Sequence, residues 1–464
     1  FPYTTLFRSR DGYMLAHVDG IRVDDQGVLH VHIVEGIVED IIPAGNKKTR
    51  DKVITREFVQ KKGKPFNKFL VRRSVERVYN LGFFDDVNVR MLPGDQDPNN
   101  VIIEIDVLEH KTGTITLGAG YSKSDGLMGI IEFGEDNFRG TGDKFKVHWE
   151  IGGKKKYKNY QISYLKPWID SKGTSLGFSF FNREDEYTDY NEDGNEVAEY
   201  NKKSRGFNIS FGRQTGEYTR DYLTLESRKD SYKWDSDDSS GYRYDTDAIS
   251  NTTGSGNDWN NTNPSTGGSW NFASNNYVKN NFGRINSITW QKVYDSRDNI
   301  YEPTRGRRIS YTAQWAGHGL GGDFDFYKFT AEARMYKKLG AKNVLAFRAR
   351  GGFIQGDAPY SQLFTLGGAD SLRGYEDDQF RGKYMYNATL EFRFPIVKKV
   401  SGVLFTDIGD AWDAPNVTWY NSKKTFNYGV GAGVRITTPI GPVKLDYGVG
   451  KHKNKFHFSF GTQF

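Results

Sequence analysis

The sequence predicts a mainly β protein: an antiparallel transmembrane barrel of 16 strands, preceded by a small α/β domain. Three observations predict it. From residue 112 onward the chain alternates apolar and polar residues in runs of about 9 to 11, the length of a tilted strand that crosses a bilayer. Turns of unequal length separate these runs, and counting them from residue 114 gives about 16, an even number as a closed barrel expects. Residues 37–110 instead show a strand, two helical periods and two further strands.

Composition agrees with this class. The chain has 464 residues, 52 of them Gly, and 15% are aromatic, with a mean hydropathy of −0.69. No stretch approaches the roughly 18 apolar residues of a membrane-spanning helix. A barrel reconciles many aromatics with a polar mean, because its lumen and outer loops dilute the lipid-facing band. The net charge of +6 arises from 64 basic and 58 acidic residues, with no basic stripe interleaved with aromatics, so nucleic acid is not an expected partner. The absence of Cys fits an envelope protein that does not rely on disulfides, and fits a cytosolic one equally.

The elements follow in order. Residues 1–9, FPYTTLFRS, look like a translated sequencing adapter and lack the order of a signal peptide, so they are set aside as non-biological. Residues 28–34 read as a strand closed by Glu35-Gly36. Residues 37–42 read as another, with a turn at Gly45-Asn46, and Thr49 is the expected N-cap of a short helix through about Phe58. After Gly63 and Pro65 a second helix carries Val71, Val75 and Val78 at i, i+4 and i+7 and stops at Gly82. Strands over 84–91 and 101–108 follow, separated by Pro93-Gly94-Asp95.

In the barrel region the last three runs are the clearest. Phe456, Phe458, Phe460, Thr462 and Phe464 share one face. Val443, Leu445, Tyr447 and Val449 alternate with Lys444, Asp446, Gly448 and Gly450, and Tyr428, Val430, Ala432, Val434 and Ile436 alternate with Gly429, Gly431, Gly433 and Arg435. Consecutive spans with an apolar outer face suit lipid, and lipid requires closure because it offers no partner to an unpaired strand edge. Short turns at Pro167-Trp168 and at 439–442 are expected on the periplasmic side. The acid-rich 184–199 and the Asn/Ser/Gly tract 235–280 read as solvated outer loops, since neither shows the ordered spacing of a calcium loop.

The stretch around which the rest is organised is 364–375, FTLGGADSLRGY. A guanidinium is permanently charged and offers donors in a rigid fork, so inside a protein Arg373 needs carboxylates. Two follow it. In 384–394 the residues Tyr384, Tyr386, Ala388, Leu390, Phe392 and Phe394 share a face, which leaves Glu391 on the other. In 403–409 parity places Phe405 and Asp407 opposite Leu404, Thr406 and Ile408.

With RGY at 373–375, LEFRFP around Glu391 and FTDIGDAW at 405–412, the chain resembles the BamA-type outer-membrane assembly factors of the bacterial surface antigen family. The order β-α-α-β-β with GNKKT at 45–49 and LGFFDDVNV at 81–89 resembles a POTRA domain. The resemblance implies a POTRA domain at 37–111, the end of a truncated POTRA module at 10–36, and an outer-membrane barrel at 112–464. It implies a loop motif, Arg373, Gly374 and Tyr375, folded back into the barrel against the inner-wall partners Glu391, Phe405 and Asp407. It also implies a function: receiving unfolded outer-membrane proteins in the periplasm and inserting them through a weak seam between first and last strands. Gly118 and Gly120 in strand one and Gly461 in the last would weaken pairing there, and Phe464 resembles the terminal signal of the clients themselves. Partners implied are unfolded outer-membrane proteins, periplasmic chaperones, accessory lipoproteins and the lipid bilayer. The exposed sheet edges of the α/β domain suit capture of a strand, although a rigid spacer is the other reading of that domain. A two-partner-type secretion pore exporting a polypeptide through the same barrel is the alternative function.

No cofactor, metal or enzyme chemistry is expected. Gly429, Gly431 and Gly433 sit inside an alternating strand with no following helix, so they are not a dinucleotide fingerprint. His452 and His457 lack further ligands for a metal. Ser, His and Asp occur without a nucleophile elbow.

Overall fold

The computed structural model describes residues 8–122, 126–152, 157–190, 196–233, 282–299, 302–414, 423–438, 441–451 and 453–460. It divides into two compact units. One takes in the chain up to Leu117 together with Ile131–His148 and Ser163–Pro167; the other takes in Gly118–Ile130, Trp149–Ile162 and Trp168–Phe464. Of residues 1–9, the first seven lie outside the described residues.

In the first unit β1 (His17–Val23) and β2 (Leu29–Val34) form a two-stranded antiparallel hairpin. The Asp24 carboxylate accepts the N–H groups of Gln26 and Val28, and Gly27 takes a positive φ of 77°, which together make the turn. β3 (Val38–Ala44), α1 (Asp51–Thr55), α2 (Lys68–Tyr79), β4 (Phe84–Pro93) and β5 (Val101–Glu109) follow. The sheet order is β3-β5-β4, with β3 parallel and β4 antiparallel to β5. The crossover between parallel β3 and β5 runs through both helices and β4, as a parallel pair requires a long connection.

Asn67 caps α2, its side chain accepting the N–H groups of Phe69 and Leu70. Val71 and Val78 then turn inward into one cluster with Phe58, Phe83, Ile103 and Ile105, while the buried Ser74 Oγ accepts the Val59 N–H at 2.8 Å. The first helix differs from the expectation. It runs only from Asp51 to Thr55, and Arg50, with no side-chain cap, precedes it. Thr49 is occupied elsewhere: its N–H donates to Glu109 Oε1 at 2.6 Å, and its hydroxyl accepts Asn137 Nδ2 at 2.8 Å. A threonine that answers to partners about 60 and 88 residues away is not free to cap the next turn.

A single sheet of 16 strands carries the rest: β6 (Gly113–Ser122), β7 (Gly126–Phe138), β8 (Asp143–Gly152), β9 (Tyr157–Lys166), β10 (Ser175–Tyr190), β11 (Glu196–Gly216), β12 (Thr219–Lys233), β13 (Gly283–Asp295), β14 (Gly306–Ala316), β15 (Phe326–Leu339), β16 (Asn343–Gly356), β19 (Tyr384–Val397), β20 (Val400–Trp412), β21 (Asn427–Thr438), β22 (Gly441–Val449) and β23 (Asn454–Phe460). Between β16 and β19 the short strands β17 (Phe364–Leu366) and β18 (Phe380–Gly382) pair with each other as a separate hairpin. The sheet is inside out by the standards of a soluble protein. Leu404 and Phe458 are 52% and 63% exposed, while Glu391 and Asp407 are 1% exposed. Apolar residues outside and charges inside are what a bilayer-spanning barrel demands.

Residues 184–199 are a correction. They are not simply an outer loop: β10 runs to Tyr190 and β11 starts at Glu196, paired through Tyr190 and Glu196, with 191–195 outside the described residues. Ladder bonds between two antiparallel strands are satisfied by each other whatever the side chains, so a hairpin can continue past the apolar band with polar residues on both faces. The tract 235–280 lies outside the described residues, as do 439–440 of the 439–442 turn.

Candidate functional site

The site is built on the segment between β16 and β19. Gly367 and Gly368 take φ of 128° and 89°, which turn the chain, and Ser371 Oγ closes that turn by accepting the Gly367 N–H at 2.9 Å and donating to the Gly367 carbonyl at 2.8 Å. Leu366, Leu372, Tyr375 and Phe380 then pack in one apolar cluster with Phe326, Ile354 and Met385 of the wall. The loop is therefore held by burial of apolar surface before any charge is considered.

Arg373 stands at its tip, 3% exposed. Its Nε donates to Asp407 Oδ2 at 2.7 Å and its Nη2 to Asp407 Oδ1 at 2.9 Å, a bidentate fork, while its backbone N–H adds a third bond to Asp407 at 3.1 Å. Nη1 donates to Glu391 Oε1 at 2.7 Å and reaches Asp446 Oδ2 at 3.4 Å. The guanidinium lies 3.4 Å from the centre of the Phe405 ring. Burying so many charges requires neutrality, and the surroundings supply it: Arg393 pairs with Glu391 at 2.7 Å, and Arg435 pairs bidentately with Asp446 at 2.5 and 2.9 Å. Three arginines meet three carboxylates.

Hydrogen bonds to the loop backbone extend the lock. Arg348 donates to the Asp370 carbonyl at 2.7 Å, Asn387 to the Ser371 carbonyl at 2.8 Å and Lys328 to the Gln362 carbonyl at 2.8 Å. On the other side the Gly374 N–H donates to His457 Nε2 at 3.0 Å. The Tyr375 hydroxyl donates to the Tyr428 carbonyl and accepts the Lys451 N–H, each at 3.0 Å. Glu376 pairs with Lys455. Glycines make room for this approach: a Cβ on Gly448 would stand 2.5 Å from the Gly374 nitrogen, and one on Gly450 would stand 2.8 Å from its carbonyl oxygen.

Arg373, Gly374, Tyr375, Glu391, Phe405 and Asp407 are thus brought together in the lumen. Gly118 and Gly120 lie in β6, at the other end of the strand order from β23, and Gly461 and Phe464 fall outside the described residues, as does His452. Sequence reasoning missed Asp446, Arg393, Arg435, His457 and the glycine trough. The signal was present, since alternation in 443–450 already puts Asp446, Gly448 and Gly450 on the polar side. The arrangement is ionic and positional: it fixes a loop inside a barrel.

An Omp85 superfamily domain matches residues 137–464. The chain belongs to the Omp85 superfamily. A POTRA domain, described as a surface antigen variable number repeat, matches residues 37–110 of this Omp85 chain. Among curated relatives, the outer membrane protein assembly factor BamA of Nitratidesulfovibrio vulgaris is 26% identical over 456 residues, covering 92% of this chain and 51% of that protein. BamA of Neisseria meningitidis serogroup B is 26% identical over 496 residues, covering 94% and 58%. The chloroplastic outer envelope protein 80 of Arabidopsis thaliana is 24% identical over 445 residues, covering 90% and 54%. The chain spans about half the length of the curated relatives it matches. The crystal structure of BamA from Haemophilus ducreyi lacking POTRA domains 1–3 shares the fold, with a TM-score of 0.69 at 20% identity over 99% of this chain and 92% of that one. CdiB from Escherichia coli shares it too, at a TM-score of 0.63 and 14% identity over 99% and 81%. The setting of this Omp85 chain is accordingly a bacterial outer membrane, with the POTRA domain in the periplasm.

Proposed function

We propose that the chain is an outer-membrane β-barrel assembly factor, which receives unfolded barrel proteins in the periplasm and inserts and folds them into the outer membrane. The observation that carries this is the extent of the likeness to proteins named as assembly factors: it covers more than nine-tenths of the chain, POTRA domain and barrel together. The residues support it physically. An entering hairpin would expose unpaired amides to hydrocarbon at several kcal/mol each, and a finished barrel offers no edge on which to start. β6 and β23 stand at the two ends of the strand order, and β23 has seven pairs with β22 among the described residues. β6 holds Gly118 and Gly120 in its interior, so a seam between these strands is the place where a client strand can pair. In the α/β domain, β3 and β4 are the edges of the three-stranded sheet and suit capture of an extended segment. Clients, periplasmic chaperones and accessory lipoproteins are the partners this reading carries. In this reading the Arg373 lock, with Glu391, Phe405 and Asp407, holds the loop that braces the strands next to the seam.

The native chain has no Cys, so a disulfide engineered between the 115–121 and 457–460 stretches would be the sole one. Oxidation should stop client insertion while the barrel stays folded, and reductant should restore it. Undiminished insertion by the fully oxidised protein would overturn the seam reading, and absence of insertion by the reduced protein would leave export of a polypeptide through the lumen, which works with the wall shut.

A further inference from the structure

The Gly374 N–H meets the last described strand, β23, through a titratable acceptor, the ring of His457. That ring is buried, and Nε2 lies 3.0 Å from the Gly374 nitrogen. A backbone N–H can only donate, so Nε2 carries no proton and the ring is neutral in this arrangement. If the ring gains a proton, Nε2 becomes a donor, two N–H groups face each other at 3.0 Å, and the bond is lost. The surrounding charges are those of every element packed on the ring: Asp446 directly across the ladder on β22, Arg373 and Glu376 on the loop, and Lys455 on its own strand. Asp446 is already engaged by Arg435 and Arg373, and Glu376 by Lys455, so neither carboxylate stands free to compensate a new imidazolium beside Arg373.

We propose that His457 is a positioning residue for the loop: its neutral ring holds Gly374 to β23, and protonation releases that hold, making attachment of the loop to the terminal strand dependent on acidity. The proposal deepens the assembly reading, since β23 is one side of the seam that reading invokes. Gly374 suits the role. Its φ of 97° aims its N–H at the ring in a conformation other residues adopt with strain. The tie is also separate from the Arg373 fork, which lands on β19, β20 and β22, so the Gly374 bond can open while the guanidinium stays engaged, with the Glu376–Lys455 pair as the loop's remaining tie to β23.

The test uses the whole chain in lipid, without any client, so its outcome is independent of insertion activity. Spin labels at Asp378→Cys and Lys453→Cys, both exposed positions, report the separation of loop and β22–β23 turn by electron–electron resonance. An N–H accepted by the neutral ring opposes protonation, so measurements step from about pH 7.5 down to about pH 4, well below the ordinary imidazole value near 6.5. Wild type should give one narrow distance distribution at the higher pH and gain a longer, broader population at the lower. His457→Gln places a carboxamide oxygen where Nε2 stands but does not titrate, so it should stay narrow at both. His457→Phe should show the longer population at both. The proposal is overturned if wild type is unchanged by acid, if His457→Gln responds to acid as wild type does, or if His457→Phe stays narrow at about pH 7.5. Should the spin labels behave as expected while the protein inserts no client, the acid-sensitive latch stands and the assembly reading falls.

Discussion

Gly429 makes room for the carbonyl of Arg373: a Cβ built on Gly429 would stand 1.9 Å from that oxygen. The obstacle is backbone, not the end of a flexible side chain, so the loop itself must move. Gly429→Ala should cost about 1–3 kcal/mol of stability through overpacking, read as a lower thermal unfolding temperature and faster proteolysis near Arg373. Gly351→Ala is the control, because its added methyl would meet Met385 O at 3.7 Å, an ordinary contact. It should change stability by less than about 0.5 kcal/mol. Equal effects at both positions would show that the trough does not matter.

Arg373→Glu places a fourth carboxylate among three. Removing one partner of a buried pair costs roughly 3–5 kcal/mol, and repulsion adds to it. Under the proposed function, client insertion should fall further than for reversal of an exposed charge such as Arg72, and Arg373→Lys should restore it only partly, since an ammonium cannot reproduce the two-pronged bond to Asp407. Full insertion by a stable Arg373→Glu barrel would remove the loop from the mechanism.

Asp407 and Asp446 should not be equivalent. Asp407 takes three bonds from Arg373, one of them from its backbone, whereas Asp446 takes one long contact from Arg373 and two short ones from Arg435. Asp407→Asn should therefore release the loop, while Asp446→Asn should chiefly orphan Arg435. In a double-mutant cycle of unfolding free energies, Arg373 should couple more strongly to Asp407 than to Asp446, within the usual range of about 0.5–3 kcal/mol. The reverse order would contradict the geometry.

In the α/β domain, Glu109 accepts the consecutive N–H groups of Lys47, Lys48 and Thr49. Partial burial alone would raise its pKa, but hydrogen bonds from Thr49, Lys48 and Lys47 outweigh that and hold it at about 2, against an ordinary 4.5. A depressed folded value means the contribution is complete above the ordinary value and is lost as pH falls toward about 2. Amide exchange at 47–49, corrected for its intrinsic rate, should quicken between about pH 4.5 and about pH 2, and Glu109→Gln should abolish that dependence while quickening exchange at neutral pH.

Much of this was legible in the sequence, and the reasons are local. Parity alone puts Glu391, Phe405 and Asp407 on one side of their strands, because the period of a strand is 2 and its two faces meet different solvents. The 16 strands follow from the same rule. Parity does not give depth along a strand or the partner across the lumen, so Asp446 and Arg435 stayed unremarked beside the pair they complete. Gly429 and Gly448 read only as members of an alternating face; their use is visible only once another backbone lies against them. Residues 184–199 read as loop because charge on both faces hides a period of 2, yet the ladder between β10 and β11 runs on through most of them.

The loop precedes every strand to which its tip is bonded, so none of those bonds can form until strands that follow it are in place. Glu391 lies 18 residues after Arg373, Asp407 34 and Asp446 73, and His457 lies 83 residues after Gly374. Closing the longest of these loops rather than the shortest costs only roughly 1.4 kcal/mol more by chain entropy, so distance does not forbid the late contacts; they wait for later strands to arrive. Two neighbouring amides record the sequence of events. The Arg373 N–H is claimed by Asp407 on β20, the Gly374 N–H by His457 on β23, so during folding the first should become protected from exchange before the second, and the gap between them measures how long the last strand takes to seat.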